Sequence, residues 1–166
     1  MSTIYITSDW HLGHKSAIKW RTQFNSPEDH DSHILDRYRE VVTKRDTVWF
    51  LGDIALTREA LDQVAMLPGY KRLVLGNHDT DRNLTVKDYL EVFTGGIYSL
   101  YKTNDAWLSH APIHRQELRG KYNIHGHVHS NTLPDKEYFN ASLENTVYSP
   151  LPYQYILDIL KRRTQT

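Results

Sequence analysis

The sequence predicts an α/β fold in which two sheets pack face to face with helices outside. Three observations carry this. Five short apolar runs, residues 3–7, 47–51, 72–75, 105–108 and 122–125, have the length and composition of buried strands. In the first half they alternate with amphipathic stretches of helical spacing, the β-α-β pattern of a largely parallel sheet. In the second half helical stretches thin out and strand-like runs crowd together, enough for a second sheet.

In order, the strand at 3–7 leads into a loop at 9–14 and a short helix over 15–21. A longer helix follows over 28–43, with Ile34, Leu35, Tyr38, Val41 and Val42 on one face. After the strand at 47–51, Thr57 has the chemistry of an N-cap for a helix through Leu67, stopped by Pro68-Gly69. The strand at 72–75 precedes a helix over 86–93 that ends before Gly95-Gly96. Residues 97–101 and 106–109 read as a hairpin around 102–105. After the strand at 122–125, residues 138–143 and 146–148 are expected to pair around Glu144-Asn145. The tail over 153–162 fits a closing helix, although Tyr155, Leu157 and Ile159 also alternate as in a strand.

A chain of 166 residues is expected to be a single domain over 1–166 with a core of its own. Lys+Arg and Asp+Glu stand at 20 each, so no bulk positive charge announces nucleic-acid binding. There is no cysteine, which excludes disulfides and thiolate metal ligands. Residues 1–6 enter the first strand without a basic leader, and no apolar run approaches the roughly 20 residues that span a bilayer. The expected location is cytoplasmic, with no membrane partner. Oligomeric state is not legible.

Each strand-like run is followed by a polar segment: Asp9-Trp10-His11, Gly52-Asp53, Gly76-Asn77-His78-Asp79, Ser109-His110 and Gly126-His127-Val128-His129. Open α/β sheets gather functional groups at the C-terminal ends of their strands. Carboxylate, imidazole and amide groups without sulfur form a ligand set for two adjacent divalent ions, Mn²⁺, Fe, Zn²⁺, Co²⁺ or Ni²⁺. Alternate residues of an extended segment share a face, which sets Asp9 beside His11 and His127 beside His129. His125 is expected to point away from that ligand face. Gly52, Gly76 and Gly126 fit sharp turns that swing a ligand inward. Singly, each piece has a plainer use. Asp9 and Asp53 are ordinary caps, Asn77-His78-Asp79 an ordinary polar turn, and His110 or His127 a hydrogen-bonded core histidine. All five in order favour a metal site.

The ordered pattern D-x-H, GD, GNHD, H, GHxH resembles the calcineurin-like metallophosphoesterase superfamily. The likeness runs from Asp9 to His129, and SDWHLGH with the small size is similar to single-domain bacterial and phage forms. The resemblance implies a minimal four-layer α/β/β/α sandwich without a cap domain. It further implies that Asp9, His11 and His129 hold one metal, that Asn77, His110 and His127 hold the other, and that Asp53 bridges them. Two such ions, Mn²⁺ as the first expectation, lie about 3.5–4 Å apart and activate a bridging hydroxide for in-line attack at phosphorus. By the same analogy His78 protonates the leaving group or hydrogen-bonds to the phosphate, with Asp79 orienting its ring.

Other polar residues are open to two uses each. His14 and Lys15 either reach the substrate phosphate or begin a helix, and Arg115 either binds phosphate or lies exposed. Trp10 packs or stacks on a base. His30 and His33 read as solvated, and Glu144-Asn145 either as turn chemistry or as a neighbour of the site. Loops 21–28 and 111–121 form the expected substrate rim, with Arg21, Arg115, Arg119 and Lys121 beside Phe24 and Tyr122. This mildly basic, aromatic set favours a phosphodiesterase for small or nucleotide-like diesters, including short oligonucleotides. The alternatives are a phosphomonoesterase and a non-catalytic protein-binding scaffold.

Overall fold

The structure, a computed structural model, describes residues 1–165. Along the chain run β1 (Ile4–Thr7), α1 (Pro27–Val41), β2 (Thr47–Phe50), α2 (Arg58–Ala65), β3 (Tyr70–Val74), α3 (Val86–Val92), β4 (Ile97–Tyr98), β5 (Tyr101–Lys102), β6 (Ala106–Leu108), β7 (Tyr122–His125), β8 (Tyr138–Asn140), β9 (Leu151–Pro152) and α4 (Tyr153–Gln165). The first sheet has the order β4-β3-β2-β1-β9, parallel except for β9. The second has the order β5-β6-β7-β8, with only β5 antiparallel. Two mixed sheets and four helices thus make the α/β sandwich that the sequence predicts.

Alternation along the first sheet divides the core. Val48, Phe50 and Leu73 face Ile34, Leu35 and Tyr38 of α1, Leu61 and Val64 of α2, and Tyr89 of α3. Trp49, Leu51, Val74 and Ile6 face the second sheet through Leu108, Ile124 and Phe139, with Ile156, Leu157 and Leu160 of α4 in the same cluster. Strands buried on both faces read as continuous apolar runs, which is why they stood out in the sequence. Phe50 meets Trp10 and Phe93 edge-on at 5.1 and 5.2 Å. Truncating it to alanine would cost about 3–5 kcal/mol.

Helix starts follow side-chain chemistry. Ser26 accepts the Asp29 N–H ahead of Pro27 in α1, Thr57 accepts that of Ala60 in α2, and Thr85 and Asp88 form a reciprocal capping box in α3. The helix expected over 15–21 is only a 3-10 turn at Ala17–Lys19.

Two local expectations are corrected. The run at 97–101 is two strands: β4 pairs with β3 in the first sheet and β5 pairs with β6 in the second, so the chain changes sheets at Ser99-Leu100. The pairing expected between 138–143 and 146–148 does not form, because Leu143–Asn145 is a 3-10 turn and β8 instead lies parallel to β7. Leu151–Pro152 is an edge strand on β1, a position where the missing proline N–H is tolerated. The tail, open between helix and strand, is the helix α4. Among the described residues no helix is long and apolar enough to cross a membrane.

Candidate metal centre

The loops that leave β1, β2, β3, β6 and β7 meet at one edge of the sandwich. The β1 loop is laced to the β2 loop by backbone bonds: Asp9 N–H to Gly52 O at 3.0 Å, His11 N–H to Asp53 O at 2.9 Å and Leu12 N–H to Ile54 O at 3.0 Å. Asp9 and His11 were expected in extended backbone, but both have positive φ, 57° and 52°. Asp53, His127 and His129 share this conformation, at 56°, 70° and 49°. Left-handed backbone is uncommon for residues with a Cβ, and its repetition at five candidate ligands marks strain held by the surrounding bonds.

Two clusters result. Asp9, His11 and His129 each present a ligand atom, these lying within 4.8 Å of one another, and Asp53, His110 and His127 do the same. Asp53 stands between them, its Oδ2 being 3.4 Å from His110 Nε2 and 3.9 Å from His11 Nε2. Asn77 joins the second cluster, with Oδ1 2.9 Å from His110 Nε2. His110 Nδ1 faces the Leu51 carbonyl at 2.7 Å and His127 Nδ1 faces His110 Nε2 at 3.1 Å. With Nδ1–H donating to that carbonyl, Nε2 is the nitrogen left for a ligand bond.

The donor set fits divalent ions. Among the described residues both ring nitrogens of His11 are buried without a hydrogen-bond partner, and a bound cation would satisfy one of them. Burial first, and then the charge of Arg21, push the His11 imidazole well below its usual range and keep it neutral. Burial opposes the charge on Asp53, yet the His110 ring and the His78 N–H hold its carboxyl below the usual range. His110 is raised in return, because Asp53 outweighs its desolvation. A carboxylate flanked by imidazoles from both clusters suits a bridging ligand.

Further residues hold these in place. Asp9 accepts the His127 N–H on both carboxylate oxygens, at 3.1 and 2.9 Å, and the Ser142 hydroxyl at 2.8 Å. A Cβ on Gly126 would fall 2.2 Å from Asp9 Oδ2, and one on Gly76 would fall 2.3 Å from Asp53 Oδ1, so close approach demands glycine at both positions. Glu144 Oε1 lies 3.1 Å from His129 Nδ1 and 2.9 Å from Arg21 Nε. Burial works against the Glu144 carboxylate, but His129 and Arg21 outweigh it and hold its pKa at about 2. His129 is raised by Glu144 in turn.

Several expectations about side chains change. Arg21 is not on a substrate rim: it is fully buried and donates to the carbonyls of Asp9 and Trp10. His30 is not solvated but buried, 2.8 Å from Arg21 Nη1 and 2.6 Å from Asp31. Asp79 does not touch the His78 ring. It accepts the backbone N–H groups of Asp53, Ile54 and Gly76 at 3.1, 2.8 and 2.7 Å, while Asp81 meets His78 Nδ1 at 2.6 Å. Arg115 lies exposed, paired with Asp135 and Glu137. Trp10 is buried and packs on Tyr38 and Phe50. His14 does reach the cluster, its ring 5.9 Å from that of His11. Sequence reasoning missed Ser142, Asp81 and the Arg21–Glu144 brace, and the only signal was Asp81's position three residues after His78.

Three comparisons with known proteins bear on the family and the fold. The family model described as calcineurin-like phosphoesterase matches residues 2–163. The Gene 66 protein of Mycobacterium phage L5 is 36% identical, over 78% of this chain and 79% of its own. An uncharacterized protein of Methanocaldococcus jannaschii is 29% identical, over 98% of this chain and 93% of its own. Among solved structures, a protein of unknown function from Aquifex aeolicus superposes with a TM-score of 0.76 at 28% identity, covering 96% of this chain and all of that one.

Proposed function

The chain belongs to the calcineurin-like phosphoesterase family, and from that premise we propose that it is a binuclear, metal-dependent phosphodiesterase for small or nucleotide-like diesters. The observation that carries this reading is Asp53 Oδ2 facing a histidine nitrogen of each cluster. Asp9, His11 and His129 would hold one ion, Asn77, His110 and His127 the other, and Asp53 both. Divalent ions there, Mn²⁺ foremost, supply Lewis acidity toward the phosphoryl oxygens and lower the pKa of the attacking water.

The protein's own contribution is position and a proton. His78 is half exposed beside the cluster, its ring 5.9 Å from that of His11. Its Nδ1 is engaged by Asp81, so Nε2 is the nitrogen left to donate a proton to the departing oxygen. Asp79 holds the β2 and β3 loops together through three backbone N–H groups, which keeps Asp53 and His78 in register.

A groove of about 570 Å³ opens beside Asn77, His110 and His127, walled by Leu75, Leu100 and Ile113. It contains no lysine or arginine, which suits an uncharged substituent on a singly charged diester better than the dianion of a monoester. The test is hydrolysis of bis-p-nitrophenyl phosphate beside p-nitrophenyl phosphate, in Mn²⁺, with chelated and His78→Ala controls. Metal-dependent diester turnover lost in His78→Ala is expected. Preference for the monoester would replace this reading with a phosphatase, and inertness of both esters with two ions bound would replace it with a scaffold.

A further inference from the structure

One large aromatic side chain at the centre is unused by the chemistry above. Trp20 is 46% exposed, whereas Trp10 and Trp49 are buried and Trp107 is half-buried. Single exposed apolar residues are ordinary on a protein surface. This one stands against three imidazoles of the site: its ring lies 5.2 Å from His14, 6.3 Å from His11 and 6.5 Å from His129. The interplanar angles are 61°, 87° and 68°, so none of these rings lies flat against the indole.

The position is also firmly held. Trp20 N–H and Arg21 N–H both bond to the Ala17 carbonyl, at 3.2 and 3.0 Å. The next residue, Arg21, is fully buried and tied to the carbonyls of Asp9 and Trp10 and to Glu144. The same arginine that braces the ligand loop therefore anchors the backbone that carries the indole at its rim. A fixed aromatic surface loses little entropy on binding a flat partner.

We infer that Trp20 is a stacking platform for the base of a nucleotide diester whose phosphate lies at the metal centre. The inference rests on the phosphodiesterase reading and names its substrate class, and a platform read by stacking is tolerant of which base it takes. The uncharged groove at Asn77, His110 and His127 lies beside the other cluster and leaves room for the second substituent.

The experiment compares two diesters with one leaving group, thymidine 5′-(p-nitrophenyl phosphate) and methyl p-nitrophenyl phosphate, in the metal-loaded protein. The ratio of their kcat/KM values should fall roughly tenfold or more in Trp20→Ala, mainly through KM, and recover in Trp20→Tyr. An unchanged ratio, with both esters slowed alike, overturns the inference and makes Trp20 a cover for the histidines. A second readout needs no turnover: thymidine monophosphate titrated into zinc-loaded protein should quench indole fluorescence, and the quenching should be lost in Trp20→Phe. Equal quenching in both proteins overturns the inference. If the wild type hydrolyses neither diester, the phosphodiesterase reading fails by itself, and the fluorescence titration still decides the platform.

Discussion

Glu144 Oε1 stands 3.1 Å from Nδ1 of His129, and the same oxygen receives Arg21 Nε at 2.9 Å. One carboxylate thus orients a candidate ligand and neutralises a buried guanidinium. Groups behind a ligand set its tautomer and angle, so Glu144→Gln should weaken metal binding roughly 10–100-fold by calorimetric titration. Glu144→Ala also leaves Arg21 buried without its counter-charge and should cost about 3 kcal/mol in denaturant unfolding. Wild-type metal affinity in Glu144→Gln would show that His129 needs no such support.

Asp79 and Asp81 separate two roles. Asp79→Ala strips the acceptor from three backbone N–H groups in loops that carry Asp53 and Asn77. It should destabilise the protein by about 3 kcal/mol or more and release metal. Asp81 is exposed and meets His78 and, more distantly, Arg82. Asp81→Ala should leave the unfolding midpoint nearly unchanged while altering kcat and its pH profile. If both variants lost stability equally, Asp81 would be structural too.

Gly76→Ala places a methyl 2.3 Å from Asp53 Oδ1 and 2.4 Å from its N–H nitrogen. Backbone cannot yield as a flexible side-chain tip does, so the β2 loop must shift. The expected result is a stability loss of about 1–3 kcal/mol and a disproportionate loss of bound metal, read by elemental analysis of the purified variant.

Far from the site, Asp46 accepts the N–H of Thr3 at 2.7 Å and the N–H and hydroxyl of Thr43 at 2.8 and 2.7 Å. The Thr3 bond, with those from Thr43, lowers its pKa against the opposing effect of burial. A carboxyl depressed in the folded state contributes stability that is complete above its unfolded pKa, near 3.9, and is lost as pH falls through the folded value. Asp46→Asn should therefore destabilise the protein at pH 7, with a difference from wild type that shrinks as the pH falls below about 4. A pH-independent difference would mean that the charge is immaterial.

The strands β1, β2, β3, β6 and β7 and the candidate ligand positions were legible because both leave local marks: apolar runs for the strands, and Asp, Asn or His directly after them. The five-segment order made the family readable from residues 9–129. Contacts between distant segments left no such mark. Nothing near Arg21 in sequence indicates Glu144, and His30 sits among polar residues that hide its burial. Spacing did mislead at Asp9-Trp10-His11, where the two-residue period implied extended backbone. Left-handed turns with an intervening buried tryptophan bring the same side chains together by another route. The family analogy set Asp79 behind His78, and the loop geometry sets Asp81 there instead.

The change of sheets at Ser99-Leu100 has a mechanical consequence. Asp9, His11, Asp53 and Asn77 hang from the first sheet, and His110, His127 and His129 from the second. Each cluster draws on both, so a bound ion would rivet the sandwich across its seam, much as a crosslink does. Sliding one sheet over the other would then require breaking ligand bonds, and chelation should loosen β5–β8 against β1–β4 before either sheet melts.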